Sequence, residues 1–338
     1  MSYKKIVFTK PKIAEIHEYE ITEPNSGEVQ VRLAVSSISS GTERANILGD
    51  VNVSVFEKND VAIFPRFGGY SSAGIVEKTG PNVTDLQVGD RVALSWSSHS
   101  QVLNIAQENV HKLSPEVSFQ DAALFHIATF PLAAIRKCRL EIGESAIVMG
   151  MGILGLSSLQ LLRSAGATPI IAVDPVEEKR EKALQCGADY ALDPNTPNFA
   201  ETVKSLTDGG VNVAIEVTGV GKALDSVLDC MARFGRIALL GCTRNSDFTI
   251  DYYHKVHGPG ISLIGAHASA RPQKDSSNGW WTQRDDMHAL IKLTETGRIS
   301  LASMIDEVHS PLEAEQVYHR LANEKTFPLV QFDWGMLS

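Results

Sequence analysis

AIVMGMGILGLSSLQLLRSAGATPIIAVD, residues 146–174, decides the fold. Apolar residues lead into Gly150-Met151-Gly152-Ile153-Leu154-Gly155, a helical run follows, and a second apolar strand ends on Asp174. A lone GxGxxG is weak evidence. Set between a strand and a helix, with an acid roughly 20 residues beyond the last glycine, it reads as a dinucleotide-binding turn. Gly150 makes the tight turn, Gly152 lets backbone approach a pyrophosphate, and Gly155 lets helix and strand pack closely. Free N–H groups and the positive dipole end at the helix start favour phosphate. Asp174 is expected to accept hydrogen bonds from both adenosine ribose hydroxyls, and a 2′-phosphate would meet its negative charge. Pro175 follows, where an NADP site would offer an arginine. The expected cofactor is NAD. A glycine-rich turn without a ligand is the plain alternative.

Working outward, short apolar strands alternate with amphipathic helices from about residue 121. FQDAALFHIATFPLAAIRKC reads as one helix, and PVEEKREKALQCGA, NFAETVKSLTDGG and GKALDSVLDCMARFG as others. Between them lie DYALD, VNVAIEVTG, RIALLG and ISLIGAH. This alternation predicts an α/β domain, a doubly wound parallel sheet with helices on both faces. Before residue 120 the texture differs. IVFTK, AEIHEYEI, EVQVRLAV, SAGIVEKTG and DRVAL are β-branched and separated by turn signals, as in a rolled antiparallel β-domain. After residue 268 a polar segment precedes one clear helix and a mixed tail.

The 338 residues are 43% apolar and 21% charged, with a net charge of −9. Nothing in this balance suggests nucleic-acid or anionic-membrane binding. MSYKKIVFTKPKIAEI has no signal-peptide core, and no apolar run approaches the ~18 residues of a membrane span. Cys138, Cys186, Cys230 and Cys242 form no CxxC pair and read as buried thiols. The expected setting is cytoplasmic, and the expected partner is a small polar substrate.

TGPNVTDLQVGDRVAL, ENVHKLSPEVSFQDAAL, the GMGILG loop with Asp174, and IEVTG followed by RIALLG together resemble the medium-chain dehydrogenase/reductase superfamily. The resemblance spans essentially the whole chain. It implies a Rossmann domain at 127–267 and a GroES-like catalytic domain split between 1–126 and 268–338. It also implies a homodimer or homotetramer and an active site in the cleft between the domains. Zinc-dependent members read C-G-[ST]-D at the strand-to-helix turn. Here the turn is Ser40-Gly41-Thr42-Glu43. Their G-H-E-x-x-G motif is Gly69-Tyr70-Ser71-Ser72-Ala73-Gly74, and the third ligand position falls on Phe125. Serine, tyrosine and phenylalanine do not replace thiolate, imidazole and carboxylate around zinc. The lobe of four closely spaced cysteines is also missing. A zinc-independent dehydrogenase with no metal site is expected.

Such an enzyme needs a side chain to handle the hydroxyl proton. Tyr70, Glu43 and His126 are the catalytic candidates. Ser40, Arg44, Trp96 and His99 are expected to contact substrate, although SSGTER also reads as a structural turn. Thr129, Leu154, Cys242 and His267 are implied neighbours of the nicotinamide, and Ile153, Lys179, Thr218 and Gly241 are further cofactor contacts. HASARPQKDSSNGWWTQRDD gathers Arg271, Trp280 and Trp281, suited to stacking on and pairing with a sugar, glycoside, cyclitol or sugar acid. A surface loop is the alternative there. The leading activity is NAD-dependent oxidation of a secondary alcohol in a polyhydroxylated substrate, or the reverse. The others are a quinone or enoyl reductase of the same superfamily and a non-catalytic NAD(H)-binding protein.

Overall fold

The computed structural model describes residues 2–56, 60–244, 246 and 248–337. Two compact units form, Met1–Ile127 with Met287–Ser338, and Ala128–Asp286. The first begins with β1 (Ser2–Lys10) antiparallel to β2 (Ile13–Glu20), followed by β3 (Glu28–Ser37), helix α1 (Ser40–Leu48) and β4 (Arg66–Phe67). Strands β5 (Ser71–Thr79), β6 (Arg91–Ser95), β7 (Val102–Ala106) and β8 (Val110–Lys112) complete its N-terminal part, with the short helix α2 (Phe119–Ala122) after them.

Helix α3 (Phe125–Lys137) carries the chain into the second unit. The single helix expected over FQDAALFHIATFPLAAIRKC is therefore two. Ser71 Oγ donates to the Ala123 carbonyl at 2.7 Å, which takes up an acceptor where the two helices part.

The second unit runs β9 (Ala146–Met149), α4 (Ile153–Ala165), β10 (Ile170–Val173), α5 (Glu177–Gln185), β11 (Tyr190–Leu192), α6 (Phe199–Leu206), β12 (Val211–Glu216), α7 (Gly221–Asp229), β13 (Met231–Leu239) and β14 (Ser262–Gly265). Its parallel sheet has the order β11-β10-β9-β12-β13-β14. The order reverses between β9 and β12, the switch point at which doubly wound sheets bind ligands. The sequence expectation placed MARFG in a helix, but β13 starts at Met231. Phe234 takes φ +65° there and Gly235 follows.

The tail returns through α8 (Gln283–Glu295), β15 (Glu307–His309), α9 (Ala314–Asn323) and β16 (Val330–Asp333). Strand β16 pairs antiparallel with β3, Phe332 opposite Ser36. Tyr318, Phe332 and Trp334 share one buried core with Phe8, Val31 and Ile47, so both chain ends build the first unit. Among the described residues no helix is long and apolar enough to cross a membrane. Residues 268–286, expected with the C-terminal catalytic part, cluster with the second unit instead. Cys138, Cys186 and Cys230 are buried as expected, but Cys242 is exposed, because it lies in the loop beyond β13 rather than in the sheet.

Candidate active site

The first unit places the SSGTER turn on top of a buried polar network. Ser39 stands at the N-cap of α1, yet its hydroxyl caps no helical N–H. Glu43 takes over that end of the helix, and its Oε1 accepts the Ser39 N–H at 2.8 Å. The freed Ser39 Oγ accepts the Tyr70 hydroxyl at 2.5 Å. Glu43 is 1% exposed. Its Oε2 accepts from His99 Nε2 at 3.0 Å and from the Tyr318 hydroxyl. Beyond the imidazole, His99 Nδ1 meets Ser36 Oγ at 2.7 Å, and Trp334 Nε1 donates to the same oxygen at 2.9 Å. Burial, with the Glu43 charge beside it, pushes the Tyr318 phenol well above its ordinary range, so Tyr318 stays a donor.

Glu43 and His99 are thus committed to one another and sealed from solvent. A catalytic role for Glu43 and substrate contact for His99 do not fit this burial. They hold the turn that presents Tyr70. Gly69 lets the chain lie against this network. At φ +80° it keeps the backbone in the left-handed region, and an added Cβ would stand 2.8 Å from the His99 backbone nitrogen.

Tyr70, Trp96 and His126 form an aromatic cluster over the turn. His126 presents its ring edge-to-face to Tyr70 at 5.6 Å and to Trp96 at 4.5 Å between centroids. His126 is fully buried, whereas Trp96 is half exposed. Ser40 opens α1 and is part-buried. Arg44 is also part-buried, and no carboxylate among the described residues forms an ion pair with it.

A zinc ion needs thiolate, imidazole or carboxylate donors. Ser40 and Tyr70 bring hydroxyls, and Phe125 is a fully buried ring in the apolar interior. These three positions do not fit the ion. Among the described residues no group of three or more His, Cys, Asp or Glu side chains is gathered to hold a metal.

The second unit carries the glycine-rich loop. A Cβ on Gly155 would lie 1.9 Å from the Gly150 carbonyl oxygen, so the loop and α4 approach as closely as glycine alone permits. Gly150 packs against Thr218, joining the loop after β9 to the loop after β12 at the switch point. Glu216 holds that second loop by accepting the Thr218 N–H at 2.8 Å and the Gly219 N–H at 3.1 Å. Burial raises its carboxyl, against the pull of those hydrogen bonds. Gly152 caps α4, no side chain caps the helix there, and a Cβ on it would meet nothing within 4 Å. A pyrophosphate fits at such an open helix start.

Asp174 ends the strand beside the loop. Its Oδ2 accepts the Met151 N–H and its Oδ1 the Val176 N–H, both at 2.9 Å. Each oxygen keeps a second lone pair for a ribose hydroxyl. Arg180, which the sequence reading passed over, donates to the Asp174 carbonyl at 2.9 Å. Ile153 and Leu154 open α4, and Lys179 lies part-buried on α5. Gly241 and Cys242 follow β13 and His267 follows β14, the carboxyl ends of neighbouring strands. Burial, and then the Lys137 charge, holds the His267 imidazole below its usual range.

Arg271, Trp280 and Trp281 are placed differently from the expectation that they bind substrate. Arg271 donates to the Thr129 carbonyl at 3.3 Å and lies 3.6 Å from Asp286, with its side chain 5% exposed. Arg136 pairs with Asp286 at 2.8 Å and stacks 3.5 Å above the Trp281 ring. Lys137 lies over Trp280. The segment is a strap fastened to α3 by cation–π contacts and a buried carboxylate. Residues that suit a sugar face are here used by the protein's own cations.

Comparison with known families and proteins accords with this architecture. Residues 25–119 match the alcohol dehydrogenase GroES-like domain, and 154–278 match the zinc-binding dehydrogenase family. The chain is a medium-chain dehydrogenase/reductase. As such it is an alcohol-dehydrogenase-like oxidoreductase. D-guloside 3-dehydrogenase of Escherichia coli (strain K12) is 25% identical over 340 residues, spanning 95% of this chain and 96% of that protein. L-threonine 3-dehydrogenase of Thermococcus kodakarensis is 26% identical, spanning 97% of each. Among solved structures, benzyl alcohol dehydrogenase of Acinetobacter calcoaceticus superposes with a TM-score of 0.84 at 22% identity, over 98% of this chain and 99% of that one. The chain shares the fold of that solved dehydrogenase while carrying Ser40, Tyr70 and Phe125 at the positions that the resemblance assigns to zinc ligands.

Proposed function

We propose that this dehydrogenase oxidises a secondary hydroxyl of a polyhydroxylated substrate to a ketone with NAD⁺, or runs the reverse reaction, without catalytic zinc. The observation that carries the reading is the Tyr70 hydroxyl bonded to Ser39 Oγ at 2.5 Å, on the turn held by buried Glu43. NAD⁺, when bound, supplies the hydride acceptor. Tyr70 Oη accepts the carbinol proton as its own proton passes to Ser39 Oγ, and Ser39 releases its own hydroxyl proton in turn to water. The C–H electron pair leaves as hydride, and the carbon–oxygen double bond forms. In the reducing direction the same two hydroxyls deliver the proton. Arg44 and Trp96 contact the substrate beside Tyr70.

Asp174 favours NAD⁺, because its carboxylate pairs with a free 2′-hydroxyl and repels a 2′-phosphate. The polyol class draws support from the D-guloside 3-dehydrogenase likeness and from the hydroxyl-rich surroundings of Tyr70, where Ser39, Ser72 and Ser97 gather. The test is a screen of NAD⁺ and NADP⁺ reduction over glycosides, sugars, cyclitols and simple alcohols, run with EDTA present. Turnover of a polyol with NAD⁺ under chelation is expected. Turnover that chelation abolishes and zinc restores would overturn the reading.

A further inference from the structure

A groove of about 430 Å³ opens in the first unit and belongs to none of the residues given a catalytic task above. It falls within the roughly 300–1,000 Å³ of small-ligand sites. Trp96, Ser97, Ser98 and Asn104 line it, with Tyr3 and Lys5 from β1.

Three features make it a built surface. Trp96 holds φ +58°, a left-handed conformation that a bulky residue rarely adopts, and the turn displays its ring half exposed. Strain of this kind persists where the surroundings enforce it and concentrates at ligand sites. The wall is ordered by its own hydrogen bonds. Buried Gln30 donates to Asn104 Oδ1 at 3.1 Å and to the Thr22 carbonyl at 2.9 Å, and Asn104 donates to that carbonyl at 3.1 Å. Finally, Lys5 is a part-buried cation. Its ammonium sits 4.2 Å from the Phe67 ring centroid, and no carboxylate among the described residues forms an ion pair with it. Burial holds its pKa below the usual lysine range, so a bound anion would relieve an uncompensated charge.

Trp96 and Ser97, which line the groove, also adjoin the candidate acid–base group. The Ser97 N–H donates to the Tyr70 carbonyl, and the Trp96 and Tyr70 ring centroids are 6.4 Å apart.

We propose that this groove is a subsite for an anionic sugar unit, its ring against Trp96, its hydroxyls on Ser97, Ser98 and Asn104, and its carboxylate or phosphate on Lys5. The inference deepens the proposed function, since it names the substrate as a glycoside whose remote unit carries the negative charge.

Isothermal titration calorimetry on the full chain, without nucleotide, tests it apart from catalysis. The probes are methyl glucuronide, glucose 6-phosphate and uncharged methyl glucoside. Wild type is expected to bind at least one anionic probe about tenfold or more tighter than methyl glucoside. The better anion identifies carboxylate or phosphate as the partner of Lys5. Lys5→Met should bring that probe down to the level of methyl glucoside, and Ser98→Trp, which fills the groove, should abolish binding of all three. Equal affinity for charged and uncharged sugars, no binding of any probe, or affinity unchanged in Lys5→Met or Ser98→Trp would overturn the subsite. Failure of the NAD⁺ reduction screen alongside normal calorimetry would instead reject the proposed oxidation and leave the groove standing.

Discussion

Glu43→Gln separates a positioning carboxylate from a catalytic one. In the native protein Glu43 Oε2 accepts two hydrogen bonds, from His99 and Tyr318, at a site 1% exposed to solvent. Glutamine preserves the shape and one acceptor. With its oxygen kept toward the Ser39 N–H, its NH₂ group faces two donors. Each lost bond to a charged acceptor costs about 1.5–3 kcal/mol, so the pair costs on the order of 3–6 kcal/mol. For a unit of this size that corresponds to a fall of about 6–24 °C in the unfolding temperature. Differential scanning calorimetry, with urea unfolding as a check, reads the transition of the first unit. NADH binding, proposed for the second unit, should stay unchanged. Tyr318→Phe should reproduce roughly half of the loss. A Glu43→Gln protein within about 1 kcal/mol of wild type, yet with kcat reduced a hundredfold, would refute the positioning role and return Glu43 to the chemistry.

Asp174→Ala should weaken NAD⁺ by about tenfold or more and narrow its advantage over NADP⁺, read by NADH and NADPH fluorescence titration; a wild type that prefers NADP⁺ contradicts the ribose assignment. Gly155→Ala puts a methyl group 1.9 Å from the Gly150 carbonyl, so the loop must move. The same titration should show nucleotide affinity falling by about 1–3 kcal/mol, with the transition of the first unit unmoved. Glu307 is held down to about 2, chiefly by its hydrogen bonds with Arg320 and despite partial burial. A depressed carboxyl stabilises the fold above its unfolded value and loses that contribution as pH falls through about 4.5 to 2. Arg320→Met should flatten this acid limb by on the order of 1–2 kcal/mol, allowing for screening at a part-exposed pair, as measured by urea unfolding across that range.

The sequence made the fold around the glycine-rich loop legible because its signals are local. Gly150, Gly152, Gly155 and Asp174 lie in one strand-turn-helix-strand segment, and their spacing alone carries the geometry. The strands of the first unit were likewise legible from β-branched runs between turn residues. The polar network was not. Glu43 meets His99 and Tyr318 across separations of 56 and 275 residues, and no local pattern records such a partnership. Ser39 lies inside SSGTER, but its hydroxyl reads as a helix cap until Glu43 is seen to occupy that end. Arg271, Trp280 and Trp281 show the opposite difficulty. Aromatic faces and guanidinium groups suit a sugar, yet they suit the protein's own charged groups as well, and here Arg136, Lys137 and Asp286 engage them first.

The central claim is that Tyr70, hydrogen-bonded to the turn that Glu43 holds, moves the substrate proton without zinc. Its most direct test is kcat for Tyr70→Phe against wild type, on the best substrate from the NAD⁺ screen and with EDTA present. Loss of the hydroxyl should lower kcat by about 10²-fold or more with little change in KM, because the proton matters mainly in the transition state. A kcat within about twofold of wild type would contradict the account and pass the proton to another group.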